Sequence, residues 1–117
     1  MLSLGIYGLA NVVFMATLTI KSKGSIITVM QVTHQAHRDE LDVLLTFLKN
    51  TTDIQAKSTL WKFYKNTRLI WVELDKEMIQ CRRRGKLTQK YTDLEVLYAE
   101  NIKNFEQWVT MAALIYT

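Results

Sequence analysis

The sequence contains no proline at all, so nothing in it forces a kink, and long uninterrupted helices are permitted. Its single cysteine, Cys81, excludes an intramolecular disulfide framework and a cysteine-based zinc cluster. The four glycines are Gly5, Gly8, Gly24 and Gly85. They form neither a GxGxxG nor a GxxxxGK turn, which removes the common phosphate-cradling loops. What remains is 117 residues, 49% hydrophobic and 22% charged. That amounts to one folded domain rather than a disordered tail. The net charge of +4 is mildly basic. A dedicated nucleic-acid binder concentrates more positive charge on one face.

Charge is also missing from one stretch. Residues 1–20 hold none of the 15 basic or 11 acidic side chains. Leu2 to Ile20 reads LSLGIYGLANVVFMATLTI, with Asn11 its one strongly polar side chain. An apolar helix of about 20 residues crosses a hydrocarbon core of about 30 Å. The segment is therefore expected to be a transmembrane anchor, made by Leu2, Leu4, Ile6, Leu9, Val12, Val13, Phe14, Leu18 and Ile20. A cleaved signal peptide would need a positively charged start and an A-x-A-like site, and neither is evident. Lys21 and Lys23 follow directly and favour a body on the cytoplasmic or matrix side. Two other readings compete. The segment could be a buried helix of a soluble four-helix bundle. Alternatively, Asn11–Ile20 and Ser25–Thr33 could pair as a β-hairpin around Lys-Ser-Lys-Gly.

From Ser25 onward the apolar period is helical. Ile27, Met30, His34, His37, Leu41, Leu44 and Leu48 step alternately by three and four, a heptad seam. The run Lys49–Asp53 breaks that pattern and supplies caps. A second seam runs Leu60, Tyr64, Thr67, Trp71, Leu74, Met78 and Cys81, widened by Phe63 and Ile70. Arg82-Arg83-Arg84-Gly85 suits a helix end, with cations at the negative pole and glycine at the left-handed position. Leu87, Tyr91, Leu94, Tyr98, Ile102, Phe105, Val109 and Ala112 make a third seam. Short connections between long helices predict antiparallel neighbours. The expected fold is all-α: a membrane-anchor helix over residues 1–23 and a three-helix antiparallel bundle over residues 24–117.

Few residues can carry chemistry. His34 and His37, three apart, share a helix face and can reach one metal, with Glu40 a turn further on. A di-iron bundle would need carboxylates facing inward from other helices. The second and third seams place no Asp or Glu inward. The two histidines are therefore expected either as core groups hydrogen-bonded to neighbours or as a polar layer that sets helix register. Cys81 sits beside three arginines, which favour a thiolate. Its seam position points instead to a small buried hydrophobe. No cofactor is expected.

Arg82, Arg83, Arg84, Lys86 and Lys90 form the strongest basic patch. It suits lipid headgroups, phosphates or an acidic partner subunit. A basic stripe of Lys62, Lys65 and Arg68 beside Trp61 keeps nucleic acid in view. The uncharged end Gln107–Thr117 is too short to span a bilayer. It could form the last turns of the bundle, an interfacial anchor through Trp108 and Tyr116, or a docking surface on a partner, the third being the most attractive. The expected role is a non-enzymatic, membrane-anchored accessory or scaffold subunit, with membrane lipid and other protein subunits as partners. The competing role is a soluble helical module that binds phosphate or nucleic acid through Arg82–Lys90.

Overall fold

A computed structural model describes the backbone of residues 23–115 and the side chains of residues 26–112. Within that span the chain is three helices: α1 (Lys23–Asn50), α2 (Ile54–Arg84) and α3 (Gln89–Ile115). The whole measures 48 × 21 × 19 Å, a rod about as long as its longest helix. The expected anchor residues Leu2–Ile20 lie outside the described residues. Among the described residues no helix is long and apolar enough to cross a membrane. The hairpin reading is overturned, because Ser25–Thr33 is α-helical within α1.

Both turns follow from local sequence. Asp53 has extended backbone angles, and its carboxylate accepts a hydrogen bond from the Ala56 amide at 2.9 Å, capping α2. At the other end of α2, Gly85 takes φ 69°, the left-handed value that a Cβ would disfavour. The amides of Gly85 and Lys86 both return to the Cys81 carbonyl, at 2.8 and 3.2 Å. Thr88 then starts α3, accepting from the Tyr91 amide at 3.1 Å.

Cross-helix pairs give the topology. His34 stacks on Trp71, while Glu77 on α2 bonds Thr88 at the start of α3. Phe63 meets Phe105 and Trp108. Residue numbers therefore run in opposite senses along α2 and α3, as predicted. On α1 and α3 they rise together: His37 meets Glu95, and Phe47 meets Phe105. The closest backbone approaches are α1 with α2 and α2 with α3. Helices α1 and α3 are joined by long side chains.

The core contains Met30, Leu44, Leu48, Leu60, Ile70, Leu74, Cys81, Tyr91, Tyr98, Ile102 and Phe105. The α1 seam falls where the period placed it. The α2 and α3 seams are rotated by about one residue over part of their length. On α2 the buried row includes Ile70 and Glu77 where Trp71 and Met78 were expected; those two are half-buried. On α3 the row runs Thr88, Tyr91, Glu95, Tyr98, Ile102 and Phe105, so Glu95 takes the place expected for Leu94. The expectation of no inward carboxylate on these helices is overturned by Glu77, Glu95 and Glu106, all buried. For Glu77 and Glu95 the physical reason is pairing, with Thr88 and His37 respectively, since a buried carboxylate is tolerated where donors await it.

Candidate functional site

The most specific arrangement of side chains is a buried ionic layer between α1 and α3. His37 is 1% exposed, Glu40 2% and Glu95 2%. His37 Nδ1 stands 2.9 Å from Glu40 Oε1, one helical turn on. On the opposite edge of the ring, His37 Nε2 stands 2.9 Å from Glu95 Oε2 on α3. Both neighbours are acceptors. A neutral imidazole has one N–H and satisfies only one of them, whereas the imidazolium satisfies both. Burial opposes the positive charge, but the hydrogen bonds and charges of Glu40 and Glu95 outweigh it and push the His37 pKa up to about 9. Both ring nitrogens therefore carry protons at neutral pH and donate to carboxylate oxygens.

Tyrosines complete the layer. The Tyr98 ring stacks on His37 with centroids 3.8 Å apart, and its hydroxyl donates to the His37 carbonyl at 2.8 Å. Burial, then the neighbouring Glu40, hold the Tyr98 hydroxyl far above its ordinary pKa, so it stays a neutral donor. Tyr91 is held up in the same way by burial and by Glu95. Burial also raises the Glu40 pKa, against the pull of His37. The second oxygens of Glu40 and Glu95 have no hydrogen-bond partner among the described residues, nor does the Tyr91 hydroxyl.

His34, one turn earlier on α1, has the opposite chemistry. Its ring lies flat on Trp71, 4.2 Å between centroids, and the Trp71 indole N–H donates to the His34 carbonyl at 3.0 Å. Asp75 Oδ1 is 3.1 Å from His34 Nε2 without closing a directed hydrogen bond, and Asp75 is largely exposed. Burial lowers the His34 pKa despite this carboxylate. The two histidines thus share a face, as predicted, but not a ligand. The carboxylates flank His37 on opposite edges of its ring rather than converging on one point. Among the described residues no group of three or more His, Cys, Asp or Glu side chains could hold a metal ion.

A smaller polar cluster locks the α2–α3 corner. The Thr88 hydroxyl donates to Glu77 Oε1 at 2.7 Å, and the Thr88 amide donates to Cys81 Sγ at 3.4 Å. Cys81 is fully buried here, the small core residue its seam position predicted.

The basic patch sits outside this corner. Arg82, Arg83, Arg84, Lys86 and Lys90 are all exposed. None of the five forms an ion pair among the described residues. The half-buried Tyr64 and the exposed Trp61 stack 5.9 Å apart. Trp61 lies 21 residues before Arg82 on α2, about 30 Å along the helix. The aromatics and the patch are therefore not interleaved.

Glu95 is the site residue that sequence reasoning missed. Its signal was spacing: four residues after Tyr91 and three before Tyr98, it fits the α3 seam as well as Leu94 does. The chain matches no known protein family, no curated protein and no solved structure.

Proposed function

We propose that this chain is a non-enzymatic, membrane-anchored helical accessory or scaffold subunit of a larger assembly. The observation that carries the reading is the position of the two helix ends that the uncharged stretches adjoin in sequence. Because α1 and α3 run in the same direction, Lys23 at the start of α1 and Ile115 at the end of α3 lie toward opposite ends of a 48 Å rod. A rod that offers one apolar sequence to a bilayer and another to a protein suits a spacer or adaptor. Residues 2–20 would anchor it, with Lys21 and Lys23 setting the depth and the bundle on the cytoplasmic or matrix side. Exposed Met111 near the α3 end adds apolar surface for a partner subunit. The buried ionisable groups support a structural role, because the His37 nitrogens are occupied by protein carboxylates rather than offered to a substrate.

The test is fractionation of the full-length chain, washed with high salt and carbonate, beside Val12→Asp/Val13→Arg. Each central charge costs about 3 kcal/mol on insertion, so the variant should leave the membrane fraction. Wild-type protein extracted by carbonate would refute the anchor. The exposed cations, which form no ion pair among the described residues, support a second reading, a module that binds phosphate or nucleic acid through Arg82–Lys90. Strongly salt-dependent retention on nucleic acid, lost when the three arginines become alanine, would favour it.

A further inference from the structure

We infer that the basic corner of the bundle is a docking surface for anionic lipid headgroups. The inference deepens the anchored-subunit reading and takes from it the choice of a bilayer as occupant. It begins from where the helices put the charge. His34 faces Trp71 and Asp75, so the two helices are level near residues 34 and 73. Lys23 lies eleven residues back along α1, and Arg84 eleven residues on along α2. Both helix ends therefore reach the same height, about 16 Å beyond the His34 level. The uncharged segment 2–20 is joined to the bundle at the end that carries Arg82, Arg83, Arg84, Lys86 and Lys90.

From Cys81 to Thr92 there is no acidic residue, and the five cations in that stretch exceed the +4 of the whole chain. The opposite turn is mixed, with Asp53 between Lys49 and Lys57. The rod is only 21 × 19 Å across, so cations gathered at one end share a small face. Surface potential decays over about 8 Å at physiological salt, and a face this narrow can bring its cations within that depth together. The corner is also held in shape: Gly85 closes α2, and Thr88 ties α3 to Glu77 and Cys81. The exposed Trp61, stacked on Tyr64, is about 30 Å away, and the nearer Trp71 and Tyr98 are taken up by stacking on His34 and His37 within the bundle. These aromatics therefore give the corner no open base-stacking platform of the kind single-stranded nucleic acid uses.

The experiment measures co-sedimentation of the full chain with two vesicle types. One is pure phosphatidylcholine, and the other contains about a third phosphatidylserine. Binding to the anionic vesicles should be at least tenfold tighter at low salt, with the excess removed by high salt. Changing Arg82, Arg83, Arg84 and Lys86 together to Gln should abolish the excess and leave binding to the neutral vesicles unchanged. The control set Lys57→Gln, Lys62→Gln, Lys65→Gln and Arg68→Gln should retain it. Circular dichroism would verify that both variants keep the wild-type helix content. Equal binding to the two vesicles overturns the inference, as does an anionic preference that survives the four-residue change. Duplex DNA that strips the chain from anionic vesicles through the same four residues also overturns it, in favour of nucleic acid. Binding to anionic vesicles alone, with none to neutral ones, supports the headgroup surface while removing the hydrophobic anchor, so the two readings fail separately.

Discussion

The middle of the bundle and its basic end both hold ionisable side chains, and they treat them in opposite ways. In the middle, His37 is enclosed by Glu40 and Glu95, with each ring nitrogen committed to one carboxylate. At the end, five cations stand in solvent with no acidic partner among the described residues. Buried charge is costly unless matched, so the interior layer constrains the fold: sliding α3 against α1 by one residue would strand all three groups. Exposed charge costs little and constrains nothing inside the bundle, so it remains available for a partner. The difference separates residues that determine the structure from residues that the structure presents.

The largest effect should come from breaking the interior layer on one side. His37→Ala leaves two carboxyl groups facing each other without a cation, and should cost about 3–5 kcal/mol in urea unfolding. Replacing His37, Glu40 and Glu95 together by Leu or Met removes the charges as a set. It should be neutral or stabilising by about 1–4 kcal/mol. If the triple variant were as unstable as the single one, packing rather than charge would explain the cost.

The pH dependence follows from the same layer. His37 holds its proton more tightly folded, with a pKa of about 9, than at the ordinary 6.5. Its contribution is complete below pH 6.5 and is lost as the pH rises to about 9, on the order of 3 kcal/mol. His34, lowered by burial, acts the other way: it favours folding above pH 6.5 and loses that contribution as acid charges it. Thermal melts across pH 6.5–9 should show stability falling, and His37→Ala should flatten that slope.

Smaller changes sharpen the contrast from the other side. Thr88→Ala removes the α3 cap and a donor to buried Glu77, and should cost about 1–2 kcal/mol by chemical denaturation. Arg82→Gln, Arg83→Gln and Arg84→Gln together should change stability by no more than about 0.5 kcal/mol, because these side chains are exposed and form no ion pair among the described residues. A loss of several kcal/mol there would mean that the basic end is part of the framework.

The helices and their ends were legible in the sequence because periodicity and capping are local. Asp53, Gly85 and the α1 seam fall where the pattern put them. The rotation of the α2 and α3 seams was not legible. At residues 94 and 95 the pattern offers Leu and Glu at equivalent phases, and hydrophobicity alone selects Leu94. The choice is settled by a partner 58 positions away, His37, which no local rule can see. The same holds at Glu77, whose donor Thr88 arrives only after the chain has turned. His37 was legible as a core histidine and as a candidate register layer. Its two carboxylate partners were legible only in part, because Glu40 lies on the same helix and Glu95 does not.

The most direct measurement of the interior layer is the titration of the His37 ring by NMR, with His34→Gln used to assign the signals. A mid-point near 9, with both ring nitrogens protonated at neutral pH, is the expected result. A mid-point at or below the ordinary 6.5 would contradict it. His37 would then be a neutral core histidine, and no ionic bridge would hold α1 to α3.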